Sequence, residues 1–385
     1  MLKKICLFLI STVVSVTSFA QYRFISNYGN LNNTLYHVKE DKQVTVTFLG
    51  GSITNMTGWR DQVGDYLRAA YPHTRWKFNN AGIPSLGSLP HSFRFQRDVA
   101  DLGKTDLLFL EAAVNDHVNE TNEVTQRRAM EGIIRHALTV NPQMNIVLMA
   151  FVDEDKMADY RNGKVPLEIQ VHEDMAKKYN LPFINLAREV TARIDAHEFS
   201  WKDDFKDLHP SPFGQQIYFN TIKVLLDEAF SKQSPVKLVD AKLPKPADKL
   251  NYQNGRYADI HQAKIIKDFT INESWEPTDS IMTREGFVKV PMLVSSGAHA
   301  VVEFPFSGRT VGIGIVSGPD AGTISYSIDN GPVQTKNTHT QWSSWLYLPW
   351  YLILGDNLKE GNHVLRIETG GEKETCRIVY FLVNE

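Results

Sequence analysis

Cysteine is nearly absent from this chain of 385 residues, in which Cys6 and Cys376 are the only two. Cys6 lies in an apolar N-terminal segment that we expect to be removed, so a disulfide framework and a cysteine-ligated metal site are excluded. Cys376 opens the apolar stretch CRIVYFLV, where a single thiol is most often packed in a core. We therefore expect Cys376 to be buried.

An excess of positive charge is also lacking, since the formal net charge is −3 at pH 7. Nucleic-acid-binding proteins depend on basic surfaces, so we expect no nucleic-acid partner. Metal-ligand spacing is lacking as well, because His172 and Glu173 lie on a predicted helix with no third ligand at a suitable spacing. We expect neither a metal nor a cofactor.

No long apolar run follows residue 20, which argues against a membrane span. Residues 1–20, MLKKICLFLISTVVSVTSFA, combine Lys3 and Lys4 with a short apolar run and a small-residue ending at Ala20. This pattern is typical of a secretory signal peptide. We expect cleavage after Ala20 and export to the periplasm or the cell exterior.

The rest of the chain changes character along its length. Residues 21–235 alternate apolar strand-like runs with helical segments, which predicts an α/β fold with a parallel sheet. Residues 236–250 are rich in Pro and Lys and predict a linker. Residues 251–385 show short alternating strands separated by turn residues, including Asp329-Asn330-Gly331, and predict an all-β, jelly-roll-like sandwich.

One predicted strand ends on Gly50-Gly51-Ser52, in the stretch VTVTFLGGSIT. Two glycines permit a tight turn. Ser52 is thus raised at the carboxyl end of a buried strand, where α/β sheets bind ligands. Taken alone, the pattern also fits an ordinary turn with Ser52 or Thr54 as a helix cap.

Polar or glycine residues also end other predicted strands. Gly82 follows the second strand, Asn115 ends the third, which is predicted over residues 106–116, and Asp207 and His209 lie on a loop before the last helix. The carboxyl ends of parallel strands meet at one edge, so these residues can converge with Ser52. A hydroxyl, an imidazole, a carboxylate and donors for an oxyanion are what acyl transfer requires.

Four short stretches in this order resemble the blocks of the SGNH hydrolases, also called GDSL-like esterases, over roughly residues 40–230. They are GGSIT from Gly50, NAG ending at Gly82, AVND around Asn115 and DLHP around His209. The resemblance implies a three-layer fold, with Ser52 as nucleophile and His209 as general base. It also implies an oxyanion hole built from the Ser52 and Gly82 amides and the Asn115 side chain.

The last block departs from the family pattern, in which an aspartate stands three residues before the histidine. Lys206 occupies that position, and a lysine cannot accept the imidazole hydrogen bond. Asp207 is the expected orienting acid and Asp204 is a second candidate. A backbone carbonyl in that role would leave a Ser–His dyad.

Other polar residues near these blocks leave two interpretations open. Glu111, inside the third strand, is either a buried hydrogen-bonded acid or a support for the site.

Residues 251–385 resemble the β-sandwich of exported two-domain bacterial members. In that part, Trp342, Trp345 and Trp350 can stack on sugar rings or pack the sandwich.

These features predict an exported serine esterase that removes acyl groups, acetyl first, from an oligo- or polysaccharide by a Ser-His-Asp acyl-enzyme mechanism. Export, the lack of a long apolar lid and the appended sandwich favour a glycan over a lipid. The alternatives are a lysophospholipase or thioesterase of the same family, and a glycan-binding protein with a degenerate hydrolase domain.

Overall fold

The structure is a computed structural model that describes residues 23–232, 235–371 and 374–385. The predicted signal peptide, residues 1–20, lies outside the described residues. Two compact units divide the chain. The α/β unit comprises the residues up to Ser88 and Leu102–Ala247, and the sandwich unit comprises Leu89–Asp101 and Asp248–Glu385.

A six-stranded sheet forms the centre of the α/β unit. Its strands are β1 (Ile25–Asn27), β2 (Gln43–Gly50), β3 (Arg75–Gly82), β4 (Leu107–Glu111), β5 (Asn145–Ala150) and β6 (Pro182–Asn185). Their order is β1-β6-β5-β4-β2-β3, in which β1 pairs antiparallel with β6 and the other neighbours are parallel. Because every residue from Val44 to Gly50 is buried, both faces of the sheet are covered.

Helices connect and cover these strands. They are α1 (Asn32–Tyr36), α2 (Ser52–Asn55), α3 (Trp59–Ala70), α4 (Ser88–Asp98), α5 (Ala113–Val118), α6 (Glu123–Val140), α7 (Glu154–Arg161), α8 (Leu167–Tyr179), α9 (Leu186–Asp195) and α10 (Pro212–Phe230). Short π-helical turns span His37–Asp41 and Trp201–Phe205. In the described part of the chain, none of the helices has both the length and the apolar character that a membrane crossing requires.

The predicted α/β fold with a parallel sheet is confirmed, with two local differences. The polar, Asn-rich segment before β2, which shows neither a strand nor a helix pattern, contains β1 and α1, and Leu31 and Leu35 are fully buried there. The third predicted strand, residues 106–116, is too long, because β4 ends at Glu111 and Asn115 lies within α5. The Glu111 side chain accepts the Val114 N–H at 3.1 Å, which caps the helix at this point.

The helix α4 groups with the sandwich unit, although residues 89–101 were predicted within the first domain. The Phe93 and Tyr252 rings lie 5.3 Å apart. The Arg97 guanidinium lies 4.9 Å from the Tyr257 ring and 5.0 Å from the Tyr380 ring. Residues far apart in the sequence therefore complete the packing of α4, which no local pattern indicates.

The predicted linker, residues 236–250, is fully described and contains no helix or strand. Its first part is nevertheless fixed. The Val239 backbone exchanges two hydrogen bonds with the Asn33 side chain, and the Pro244 carbonyl accepts from Arg135 at 2.8 Å. The chain up to Ala247 is thus held along the α/β unit by hydrogen bonds and does not behave as a free tether.

Two antiparallel sheets form the sandwich unit. The strands are β7 (Gly255–Ala258), β8 (Lys264–Lys267), β9 (Phe269–Trp275), β10 (Val290–Ser295), β11 (Val301–Ser307), β12 (Thr310–Ser317), β13 (Thr323–Ile328), β14 (Gln334–Asn337), β15 (Leu348–Gly355), β16 (Asn362–Thr369) and β17 (Arg377–Asn384). One sheet has the order β15-β12-β17-β10-β9, with β7 also paired to β17, and the other has the order β14-β13-β16-β11-β8. The predicted all-β sandwich is confirmed.

The core of the sandwich lies between these two sheets. Phe304 of β11 and Phe381 of β17 stack at 3.9 Å between ring centroids. Cys376 is 3% exposed, as predicted. Asp329 and Asn330 lie in the hairpin between β13 and β14, as their sequence predicts, and have left-handed φ angles of 52° and 58°.

The three clustered tryptophans do not share one environment. Trp350 lies on β15 and packs against the core, and the Trp342 ring lies 6.0 Å from it. Trp345 is 50% exposed. Packing therefore accounts for Trp342 and Trp350, while Trp345 presents an aromatic face to solvent.

Candidate active site

The turn after β2 places Ser52 at the start of α2. A Cβ built on Gly50 would lie 2.3 Å from Thr54 Oγ1, and one on Gly51 would lie 2.0 Å from Asn115 Oδ1. The φ angle of Gly51 is −88°, which any residue can adopt. A side chain at Gly50 or Gly51 would therefore displace Thr54 or Asn115, so close packing and not the backbone conformation favours glycine in this turn.

His209 reaches this turn from the loop before α10. Its Nε2 lies 2.7 Å from the Ser52 hydroxyl oxygen. Lys206 bends the loop, with φ 94° and ψ −74°, a conformation that side-chain-bearing residues rarely adopt. Ser211 ends the loop by capping α10 through the Gly214 N–H. With its proton on Nδ1, the His209 imidazole can accept the Ser52 proton.

The two candidate acids have different surroundings. Asp207 Oδ1 accepts the His209 backbone N–H at 2.6 Å and lies 3.7 Å from His209 Nδ1. The latter distance exceeds a hydrogen bond. Asp204 Oδ2 instead accepts the Ser200 backbone N–H at 2.7 Å. Asp207 therefore supplies a negative charge beside the imidazole, while Asp204 stabilises the Trp201–Phe205 turn.

The three predicted oxyanion donors also differ. Asn115 is 9% exposed and its side-chain amide makes no hydrogen bond to the part of the chain that the structure describes. Ser52 is the first residue of α2, so its N–H has no acceptor within the helix. The Gly82 N–H donates to Asn80 Oδ1 at 2.9 Å. Two predicted donors are thus available beside Ser52, and the third is already hydrogen-bonded.

Gly82 has a second, steric role. A Cβ at this position would lie 2.4 Å from the Asn55 nitrogen of α2. The absence of a side chain lets the end of β3 pack directly against the helix that begins at Ser52.

A group of buried charged and titratable side chains lies in and around α5, and sequence reasoning recognised only part of it. Its members are Glu111, Asp116, Asp153, Lys156, Glu168 and His172. The Lys156 ammonium lies 2.5 Å from Asp153 Oδ2, and both side chains are buried. Burial raises the pKa of Glu111 and that of Asp116 to about 7 each. The sequence singled out two members, Glu111 as an acid inside an apolar strand and His172 on a predicted helix, without relating them to each other.

The predicted helix positions His172 and Glu173 do not point to a shared ligand. His172 accepts the Ala112 N–H through Nε2 at 3.2 Å, while Glu173 accepts the Tyr28 hydroxyl at 2.7 Å. Within the described residues, no group of three or more His, Cys, Asp or Glu side chains is arranged to hold a metal ion.

Comparison with known proteins relates both the sequence and the fold to esterases. The sequence model of the GDSL-like Lipase/Acylhydrolase family matches residues 48–217, which include Ser52, Gly82, Asn115 and His209. No curated protein matches the chain by sequence.

Several solved structures resemble the chain. A two-domain esterase active on acetylated mannans, co-crystallised with mannopentaose, aligns with a TM-score of 0.75 at 17% identity, covering 95% of this chain and 98% of that one. A second structure of that esterase aligns with a TM-score of 0.74 at the same identity and coverage. An acetyl xylan esterase from Geobacillus stearothermophilus covers 47% of this chain and 94% of its own, with a TM-score of 0.40 and 18% identity. At such identities, the two-domain match establishes the fold.

Replacing Asp207 by Asn tests the acid. Asparagine keeps an oxygen for the His209 N–H but removes the charge beside Nδ1, so we expect kcat for ester hydrolysis to fall between about tenfold and ~10⁴-fold, with an unchanged melting curve. Asp204→Asn is the matched control and should keep wild-type turnover, because its oxygen still accepts from Ser200. Wild-type turnover in Asp207→Asn would favour a Ser–His dyad.

Replacing Asp116 by Asn tests the buried carboxyl. Burial raises its pKa to about 7 in the folded protein, above the ~3.9 of an unfolded chain. The folded state therefore binds the proton more tightly, and wild-type stability falls as pH rises from about 4 to about 7. The Asp116→Asn variant has no carboxyl to titrate at this position. We therefore expect its free energy of unfolding, relative to that of the wild type, to rise by up to about 4 kcal/mol between about pH 4 and about pH 7.

Urea unfolding at pH 4.5 and pH 8 measures this difference. Asp65→Asn is the control, because the Asp65 side chain is 78% exposed, and its stability should follow that of the wild type at both values. Parallel changes in the Asp116→Asn variant and the wild type would show that the carboxyl titrates normally.

Proposed function

We propose, from the membership of residues 48–217 in the GDSL-like lipase/acylhydrolase family, that the protein is an exported serine esterase that removes acetyl groups from an oligo- or polysaccharide. The family match confirms the predicted family and its enzyme class, the carboxylic ester hydrolases. The observation that carries the proposal is the 2.7 Å distance between the Ser52 hydroxyl oxygen and His209 Nε2. A serine and a histidine at this separation are the minimum for nucleophilic acyl transfer.

In the proposed reaction, His209 Nε2 takes the Ser52 proton as Ser52 Oγ attacks the ester carbonyl carbon. The tetrahedral intermediate collapses with cleavage of the ester C–O bond, and the imidazolium gives its proton to the departing sugar oxygen, which leaves as a hydroxyl. Water then attacks the acetyl-serine with His209 again as base. The second tetrahedral intermediate collapses as the imidazolium returns its proton to Ser52 Oγ, which breaks the bond to the acyl carbon and releases acetic acid, which ionises to acetate. Asp207 favours the charged imidazole through its carboxylate, 3.7 Å from Nδ1.

The carbonyl oxygen gains negative charge in this step and requires donors. The Ser52 N–H and the Asn115 side-chain amide are our proposed pair, because neither has a hydrogen-bond partner in the described chain. Each such donor is typically worth about 2.7–4 kcal/mol in the transition state. The Gly82 amide can join them only by leaving Asn80 Oδ1, which it now contacts at 2.9 Å.

The glycan substrate is supported by the likeness to an esterase that acts on acetylated mannans and was co-crystallised with mannopentaose. The alignment with that two-domain protein covers 95% of the chain described in this structure. We therefore propose an acetylated polysaccharide, with mannan as the first to test.

Acetate release from acetylated mannan and acetylated xylan tests the activity. We expect the wild type to release acetate and Ser52→Ala to lose about 10³-fold or more, because the nucleophile is gone. Ser231→Ala, at the end of α10, is the control and should match the wild type. Hydrolysis of octanoyl but not acetyl esters would favour the lysophospholipase or thioesterase alternative.

A fluorophosphonate probe separates an enzyme from a degenerate binding protein. We expect covalent labelling of Ser52 in the wild type and none in Ser52→Ala. Glycan binding without labelling and without turnover would contradict the esterase proposal.

Export is proposed from the sequence of residues 1–20, with Lys3, Lys4 and the small-residue ending at Ala20. Mass spectrometry of protein recovered from the periplasm or the medium should show Gln21 as the first residue. A chain that keeps residues 1–20 and stays in the cytoplasm would contradict this part of the proposal.

A further inference from the structure

The side chain of Asn115 is not held in place by its own hydrogen bonds. Its amide has no partner in the part of the chain that the structure describes, and it is 9% exposed. Its Oδ1 lies so near Gly51 that a Cβ there would be 2.0 Å away. The position of the amide therefore depends on the backbone of α5, and a small shift of this helix would move the amide relative to Ser52.

Glu111 holds the first turn of α5 from the end of β4. Its Oε1 accepts the Val114 N–H at 3.1 Å. The side chain is 2% exposed, so water does not compete for this bond. Glu111 thus ties the start of α5 to the end of β4.

His172 holds the residue before α5 from the helix α8. Its Nε2 accepts the Ala112 N–H at 3.2 Å, and its Nδ1 lies 2.7 Å from the Glu168 carbonyl oxygen. A carbonyl can only accept, so Nδ1 carries the proton and Nε2 is free to accept. Burial lowers the pKa of His172 to about 4, which keeps the ring in this neutral form near neutral pH.

We propose that Glu111 and His172 are positioning residues for ester hydrolysis, which act by fixing the Ala112 and Val114 amides and thereby the Asn115 side chain beside Ser52. This inference rests on the proposed function, in which Asn115 donates to the oxyanion. Neither residue touches the substrate. Each one acts only through the backbone that carries Asn115.

A double-mutant cycle on kcat for acetyl ester hydrolysis tests the proposal. Glu111→Ala removes the acceptor, and we expect kcat to fall by about 10- to 100-fold with KM nearly unchanged, because a misplaced group of this kind costs up to about 10²-fold. Asn115→Ala alone should cost about 10²–10³-fold. In the Asn115→Ala background, Glu111→Ala should cost less than about twofold, because no amide is left to position.

Conservative variants provide the rescue. A glutamine at position 111 keeps a carbonyl oxygen for the Val114 N–H, so Glu111→Gln should stay within about threefold of the wild type. If Glu111→Ala does not fold, the same cycle is run at position 172, where His172→Leu removes the acceptor and His172→Gln keeps one. The two positions should give the same pattern.

Glu189→Ala is the control for the loss of a buried glutamate. Glu189 is fully buried, and its carboxyl bonds Thr221 and Arg193 rather than α5. We expect a lower melting temperature without a change in kcat. An equal fall in kcat from Glu111→Ala in the wild-type and Asn115→Ala backgrounds would overturn the proposal, since it would indicate a general structural role.

The outcomes also separate this inference from the proposed function. A wild type that releases no acetate and is not labelled at Ser52 would refute the esterase itself. An active wild type whose turnover is unaffected by Asn115→Ala would keep the esterase and overturn the positioning role.

Discussion

The close contact between Gly51 and Asn115 determines the geometry of the whole site. β2 and β4 are neighbours in the sheet, with Leu49 opposite Leu110, so the segments that follow them emerge side by side. A Cβ on Gly51 would lie 2.0 Å from Asn115 Oδ1. Nucleophile and donor are therefore adjacent as a direct result of strand pairing, and the His209 loop has only to reach one place.

Several charged side chains buried in and near α5 are costly to bury. Removing a carboxylate or an ammonium from water costs several kcal/mol per ion, and an ion pair recovers this only with good geometry. Lys156 and Asp153 meet at 2.5 Å, but Asp116 Oδ2 has no hydrogen-bond partner among the described residues. The unit thus tolerates unfavourable charge next to the helix that bears Asn115, which is consistent with a requirement for one defined backbone position.

Sequence patterns were sufficient where the signal is local. The apolar runs predicted the strands of the sheet. The glycines that end two of these strands, Gly50-Gly51 and Gly82, predicted the edge where Ser52 and His209 meet. The start of α5 was missed, because its amides are held by Glu111 and by His172, and the latter stands 60 positions from Ala112 in the sequence. The spacing before His209 left open which acid lies beside its imidazole. The position of Asp207 depends on the bend at Lys206, and no local sequence pattern predicts that bend.

The sequence also did not predict that α4 belongs to the sandwich unit, because its contacts are with residues far away in the chain. This arrangement affects how the two units could be exchanged by recombination. The chain passes between the two units at Ser88, at Asp101 and again at Ala247. Part of the sandwich unit is therefore encoded inside the segment that also encodes Ser52 and Asn115. Recombination at the linker would separate α4 from Tyr252, Tyr257 and Tyr380, so a sandwich unit exchanged at that point would lose part of its own packing.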